Sequence, residues 1–257
     1  MPTWNAEQYL KFGDERTQPC IDLAQRLRGL NPRRIIDLGC GPGNSTDVLA
    51  RQWPAAEITG MDSSPAMIEA ARRDYPRRQC KVGDIENWGA AEPFDLVFAN
   101  AALHWVKDHA SQFPRLLAQV AVGGALAAQM PANLDCPAQR LMRDIASSAA
   151  WRGRFAREPQ TWLVHEPPFY YDVLSSHATR VDLWVTEYQH ILPAPSAIVE
   201  WYKGTGLRPY LDALAKPEDQ PAFLAQYLAS INGAYPPRVD GKVIFPFRRL
   251  FVIAWKG

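Results

Sequence analysis

The sequence predicts a doubly wound α/β fold with a mostly parallel sheet, and three observations predict it. From Arg34 to about Met130, short apolar runs alternate with amphipathic stretches, the pattern of successive βαβ units. The first run leads directly into a glycine cluster, Asp37-Leu-Gly39-Cys-Gly41-Pro-Gly43, where a strand must turn sharply into a helix. An acid, Asp62, closes the second run, at the place where open α/β sheets receive a nucleoside.

Strands are expected at Arg34–Leu38, Glu57–Met61, Gln79–Val82, Phe94–Ala99 and Ala125–Met130, apolar throughout because helices cover both faces. Ser64-Pro65 signals an N-cap followed by proline at the first helical position. Asn44-Ser-Thr46 offers caps for the helix after the first strand. Upstream, residues 5–30 read as helical segments interrupted near Pro19, with Tyr9, Phe12 and Arg16 spaced to share a face. Downstream, residues 137–178 read as helix and loop, with a proline-aromatic cluster at Glu166-Pro-Pro-Phe-Tyr-Tyr171. A strand over Arg180–Leu192 follows, alternating at Val181, Leu183 and Val185. Two helices, about Ser196–Leu214 and Glu218–Tyr235, precede a final strand or hairpin over Val243–Trp255. Tail strands of this kind commonly pair antiparallel at the end of a parallel sheet. No linker divides the chain, so a single domain is expected.

A chain of 257 residues buries a full core. Its net charge of +1 gives no electrostatic case for nucleic acid or an anionic membrane. No basic leader with an apolar segment opens it, and its apolar runs are too short to span a bilayer. Cys20, Cys40, Cys80 and Cys136 are scattered without metal-ligand spacing, and read as reduced thiols. The expectation is a cytoplasmic monomer with no metal and no nucleic-acid or membrane partner.

The glycine loop carries the chemistry. Dinucleotide sites use G-x-G-x-x-G with pyrophosphate at the helix N-terminus. Here the spacing is G-x-G-x-G, proline occupies position 42, and Asp37 lies two residues before the first glycine. A carboxylate there repels a pyrophosphate and suits a cationic, amino-acid-bearing ligand. Asp62 is positioned to accept hydrogen bonds from two ribose hydroxyls.

Asp37-Leu-Gly-Cys-Gly-Pro-Gly43, Asp62-Ser-Ser, Gly83-Asp84-Ile85 and Phe94-Asp-Leu-Val-Phe-Ala-Asn100 resemble the successive motifs of class I S-adenosylmethionine-dependent methyltransferases, a Rossmann-like group. A narrower set is similar to the trans-aconitate 2-methyltransferase family: Trp4-Asn5, Tyr9-Leu-Lys-Phe12, Glu15-Arg16, Gly41-Pro-Gly-Asn-Ser-Thr46, Ile58 to Met67, Trp105, Asp108-His109, Gln129-Met-Pro131 and Thr205-Gly-Leu-Arg-Pro209. Two positions depart from the family pattern, Ala132 in Met130-Pro-Ala-Asn133 and His104 before Trp105.

The resemblance implies S-adenosyl-L-methionine as cofactor and S-adenosyl-L-homocysteine as product. It implies a seven-stranded sheet within a single domain, with a helical lid at 1–30, a cofactor core at 31–136, and a substrate cover with C-terminal strands at 137–257. Asp37, Gly39 and Gly41 are implied at the methionine moiety, and Asp62 at the ribose with Ser63 or Met61 beside it. Asp84 and Ile85 are implied at the adenine, and Asn100 at the methionine end. The implied acceptor is a carboxylate of a small polycarboxylic acid, above all trans-aconitate. A carboxylate is ionised near neutral pH, so no general base is required and no catalytic residue is assigned beyond positioning. A polyanion does require cations, for which the planar fork of Arg208 is the first candidate and Arg16 the second, unless Arg16 serves the cofactor's carboxylate. Tyr9, Phe12, His104, Trp105, Asn133 and Tyr171 complete the expected acceptor site. Arg248 and Arg249 are read as structural. The alternatives are a hydroxyl or other acid as acceptor with His104 as base, a cofactor-binding protein without catalysis, and a nicotinamide oxidoreductase, which Asp37 and Pro42 disfavour.

Overall fold

The structure is a computed structural model describing residues 12–159 and 161–257, excepting the side chain of Asp14. The expected strands form one seven-stranded sheet of order β3-β2-β1-β4-β5-β7-β6. They are β1 (Arg34–Leu38), β2 (Glu57–Asp62), β3 (Gln79–Val82), β4 (Phe94–Asn100), β5 (Val120–Pro131), β6 (Arg180–Leu192) and β7 (Val243–Trp255). β1 to β5 pair in parallel and β7 runs antiparallel to β5. The chain order reverses at β1, whose neighbours are β2 and β4, and ligands of open α/β sheets bind at such a switch point.

Among the described residues the helices are α1 (Gly13–Arg26), α2 (Asn44–Gln52), α3 (Pro65–Asp74), α4 (His109–Ala118), α5 (Pro137–Ser147), α6 (Pro167–Ser175), α7 (Pro195–Lys203), α8 (Arg208–Ala213) and α9 (Gln220–Ala234). Ser64 caps α3 as expected, accepting from the Met67 amide at 3.4 Å with Pro65 at the first turn. Four local expectations are corrected. α1 runs unbroken through Pro19, because Cys20, Leu23, Ala24 and Leu27 are buried together, and their packing offsets the one backbone bond that proline forgoes. Phe12 lies in a turn before that helix. Asn44-Ser-Thr46 do not cap α2; its N-cap is Gly43, at φ 98°, and the hydroxyls of Ser45 and Thr46 are used elsewhere. The helix expected over Ser196–Leu214 is two helices, because the Gly204–Leu207 turn folds back through Leu207 N–H donating to Tyr202 O at 2.8 Å. Val243–Trp255 forms one continuous strand, as expected.

The described residues divide into two compact units. The larger holds Gly13–Ala132, Trp162–Thr186 and Arg249–Gly257. In it the residues of one sheet face, Ile36, Leu38, Val97, Ala99, Leu126, Ala128, Met130 and Val252, pack on Phe113, Leu116 and Leu117 of α4 and Tyr170 and Leu174 of α6. Each such large side chain, fully buried, contributes about 1.5–3 kcal/mol. The Tyr170 hydroxyl anchors this layer, 2.8 Å from His109 Nδ1 and accepting from the His165 amide. The alternating residues point to the opposite face. They are apolar deep in the sheet, at Ile35, Leu96, Phe98, Ala125 and Ala127, and polar at its carboxyl end, at Asp37, Asn100 and Gln129. α1 packs on β5 and α2.

The smaller unit holds Phe12, Asn133–Thr161 and Glu187–Arg248. α9 packs on α5 and α7, around an aromatic core of Trp201, Tyr202, Phe223, Tyr227 and Phe245.

Candidate active site

The glycine loop forms as its spacing requires. Gly39, Gly41 and Gly43 all take left-handed backbone, at φ 71°, 54° and 98°, which other residues adopt at a cost of about 1–2 kcal/mol each. At Gly39 a Cβ would also lie 2.3 Å from Ala102 Cβ, whereas at Gly41 it would meet nothing within 4 Å. The loop is therefore packed at its base and open at its crest. The amides of Gly39 and Cys40 both donate to Met61 O, at 2.7 and 3.0 Å.

Two carboxylates flank the loop. Asp62 accepts from the Gly41 amide at 3.0 Å through Oδ2 and from the Ser64 amide at 2.8 Å through Oδ1. Each oxygen keeps a further lone pair for a hydroxyl donor. Burial raises the Asp62 pKa against the opposing pull of those two amides. Asp37 is fully buried. Its Oδ2 accepts from Ser45 Oγ at 2.6 Å and Thr46 Oγ1 at 2.7 Å, while its Oδ1 has no hydrogen-bond partner among the described residues. Burial pushes its pKa up to about 6; the two hydroxyls pull it down and the Asp62 charge adds to the rise.

Along the same sheet face, Asn100 at the end of β4 also carries a buried Oδ1 without a partner among the described residues. Buried polar atoms in folded proteins are hydrogen-bonded. Two orphaned acceptor oxygens on adjacent strands therefore call for a donor-bearing, cationic ligand. The α-ammonium and sulfonium of S-adenosylmethionine fit that demand, and a pyrophosphate does not. No cluster of three or more His, Cys, Asp or Glu side chains arranged to hold a metal occurs among the described residues.

Residues 35–124 match a family described as a methyltransferase domain. The trans-aconitate 2-methyltransferase of Azoarcus sp. (strain BH72) is 47% identical over 254 residues, covering 99% of both chains. That of Afipia carboxidovorans is 48% identical over 255 residues, covering 98% of this chain and 99% of its own. The chain belongs to the trans-aconitate 2-methyltransferase family. Among solved structures, the YcgJ protein of Bacillus subtilis superposes with a TM-score of 0.60 at 12% identity, covering 93% of this chain and all of its own. Haemonchus contortus phosphoethanolamine N-methyltransferase 2, solved with S-adenosyl-L-methionine, gives 0.57 at 14% identity, covering 98% of this chain and 57% of its own. At such identities the likeness is one of fold.

The family's remaining expected residues fall out as follows. In the larger unit Ser63 is exposed beside Asp62. Asp84 bends its own loop, accepting from the Glu86 amide and from Asn87 Nδ2, each at 3.0 Å. Ile85 is part-buried against the core, its Cδ1 near the base of the glycine loop. Arg16 is buried on α1. His104 sits in a short 3-10 turn, Leu103–Trp105, with its ring 4.9 Å from Trp105 and 5.6 Å from Trp162, which also stands edge-on to Trp105. Burial first, then the charge of Arg249, pushes the His104 pKa down to about 3, so at neutral pH the ring is uncharged. Tyr171 is half exposed on α6, and it is Tyr170 that turns inward. In the smaller unit Asn133 is buried and donates to Tyr202 Oη at 3.1 Å. There Arg208 opens α8 and lies 3.5 Å from Asp212 one turn on, and the Phe12 ring is 5.0 Å from that of Trp201. Tyr9 lies outside the described residues. Sequence reasoning did not single out Ser45 and Thr46 as partners of Asp37, nor Trp162 and Gln129. The signals that could have found them are the place of Ser45 and Thr46 directly after the glycine loop and that of Gln129 in the Gln129-Met-Pro131 segment.

Proposed function

We propose that this chain transfers the methyl group of S-adenosylmethionine to a carboxylate of trans-aconitate, giving a methyl ester and S-adenosylhomocysteine. The observation that carries the reading is the buried Asp37 carboxylate, with one unpartnered oxygen, beside an open left-handed glycine loop. It is wrong in charge for a nucleotide phosphate and right for a sulfonium amino acid. The acceptor is taken from the relatives' names.

When bound, S-adenosylmethionine supplies a methyl carbon on a positively charged sulfur, and an acceptor carboxylate oxygen bonds that carbon as the carbon–sulfur pair returns to sulfur. The chain's part is to hold the two in line, which is worth about 7–11 kcal/mol in the best intramolecular cases. Asp62, flanked by Met61 and Ser63, receives the ribose hydroxyls. Asp84 and Ile85 border the adenine. Asp37, Gly39, Gly41 and Asn100 hold the methionine portion, with Arg16 toward its carboxylate. His104, Trp105 and Tyr171 serve the acceptor, and Tyr9, Phe12, Asn133 and Arg208 are assigned to it from the family resemblance alone. No proton has to be removed from a carboxylate, and a histidine with a pKa of about 3 is no base for one that does. This disfavours a hydroxyl acceptor.

The same reading takes residues 1–257 as a single methyltransferase domain, acting as a cytoplasmic monomer without nucleic-acid or membrane partners. In its support, the net charge is +1 and no helix among the described residues is long and apolar enough to cross a membrane. Incubation with methyl-labelled cofactor and a panel of acids, phenols and amines tests the function. Label is expected in a base-labile ester of trans-aconitate; turnover of a phenol or amine with none of the acid refutes it.

A further inference from the structure

The sheet face that carries Asp37 and Asn100 continues across β5 and β7. Asn100 pairs in register with Gln129, Gln129 with Phe251, and Pro131 with Arg249. Paired residues share a face, as do residues two apart along a strand, so Asn100, Gln129 and Arg249 rise from one side of the sheet. Gln129 is 0% exposed and Arg249 3% exposed. Arg249 Nη1 donates to Gln129 Oε1 at 3.3 Å. A guanidinium only donates, so the glutamine must turn its oxygen toward it and aim its NH2 group away. That buried Nε2 has no partner among the described residues.

The row is polarised. At β1 and β4 it offers orphaned acceptors, Asp37 Oδ1 and Asn100 Oδ1. At β5 and β7 it offers an orphaned donor, the Gln129 amide, beside a buried cation. Strands are spaced about 4.8 Å apart, which puts the donor end about 5–10 Å beyond Asn100. A ligand set matching this order carries positive charge at one end and a carboxylate at the other. The uncharged His104 ring and the Trp105–Trp162 pair belong to the same unit, and Arg249 is near enough to His104 to depress its basicity.

We propose that Arg249 and the Gln129 amide together bind a carboxylate of the acceptor that is not the one methylated, and so select a multiply charged acid. This rests on the functional reading above. The bound carboxylate is the unreactive one because hydrogen bonds from a guanidinium and an amide stabilise its negative charge and lower the nucleophilicity of its oxygens. The planar fork of arginine with an adjacent amide matches the two oxygens of a carboxylate.

The test uses the full chain with Gln129→Glu, which keeps shape but turns the donor into an acid, and Arg249→Lys, which keeps charge but removes the fork. Trans-aconitate binding to the S-adenosylhomocysteine complex is measured by calorimetry, beside S-adenosylhomocysteine affinity, the melting midpoint, and the KM ratio of trans-aconitate to a monocarboxylic acid. Loss of a hydrogen bond to a charged group weakens binding about tenfold to more than a hundredfold. Gln129→Glu is expected to weaken trans-aconitate binding by that factor, Arg249→Lys by less, and both to narrow the acid preference with S-adenosylhomocysteine affinity unchanged. Wild-type affinity for trans-aconitate in both folded variants overturns the proposal, as does a loss confined to S-adenosylhomocysteine, which would give the row to the cofactor. If one variant fails to melt cooperatively, the other decides. Wild-type protein that binds S-adenosylhomocysteine but neither binds nor esterifies trans-aconitate overturns the functional reading, and this assignment with it.

Discussion

Replacing Asp37 with asparagine separates what this carboxylate does for the fold from what it does for the ligand. Its pKa rises from 3.8 to about 6 in the folded protein, chiefly through burial. At 1.36 kcal/mol per unit, ionising it in place costs about 3 kcal/mol more than in the unfolded chain. A raised carboxyl pKa means that the folded state holds the proton more tightly. The stability linked to this group is therefore fully present below pH 3.8 and is lost as pH rises through about 6. The amide in Asp37→Asn keeps an acceptor for Ser45 and Thr46 and carries no charge. Urea unfolding of ligand-free protein at pH 5, 6, 7 and 8 is expected to show the variant gaining on the wild type as pH rises. The gain approaches about 3 kcal/mol by pH 8 at most, and taking the difference cancels the contributions of other groups. Cofactor affinity moves the opposite way, falling about tenfold or more as the cation loses a charged partner. A variant that is less stable than wild type at pH 8, or equally tight for cofactor, refutes the reasoning.

Gly39→Ala is expected to lose both stability and cofactor binding, since the left-handed backbone costs about 1–2 kcal/mol before the 2.3 Å approach to Ala102 is relieved; thermal unfolding and calorimetry read both losses. Because His104 titrates near 3 rather than 6.5, kcat should show no limb between pH 6 and 8 that disappears in His104→Gln. The same depressed pKa makes its contribution to stability present above pH 6.5 and lost as pH falls toward 3. Tyr170→Phe removes the hydroxyl shared by His109 and the His165 amide and should cost about 1–3 kcal/mol in urea melts, with the KM for cofactor unchanged.

Sequence patterns revealed elements whose signals are local or periodic. The central parallel strands β1, β4 and β5 stood out as apolar runs because they are buried, whereas the edge strand β3 is largely exposed; the Ser64-Pro65 start of α3 was visible because a cap lies within four residues of what it caps. Where a tertiary contact overrides the local rule, the sequence misled. Ser45 and Thr46 have the chemistry of helix caps, but the buried Asp37 carboxylate, eight and nine residues back, is the stronger demand for a hydroxyl. Pro19 has the chemistry of a helix break, and the packing of α1 tolerates it. The Gln129–Arg249 pair spans 120 residues. Nothing in either strand's composition announces it, because strand register alone brings them to one face. Glycines and acids of the loop were legible for the opposite reason: left-handed turns and a strand-end carboxylate leave their mark within a single βαβ unit.

The Asp62 carboxylate braces the Gly41 amide and keeps lone pairs for two further donors, which makes it the group that fixes the cofactor's ribose on this loop. Calorimetric titration of Asp62→Ala with S-adenosylmethionine probes it directly. Losing two hydrogen bonds to a charged group, at about 1.5 kcal/mol or more each, weakens binding about a hundredfold or more, and that is the predicted result in a variant that still melts cooperatively. Affinity equal to that of the wild type would contradict the placement of the cofactor on this loop.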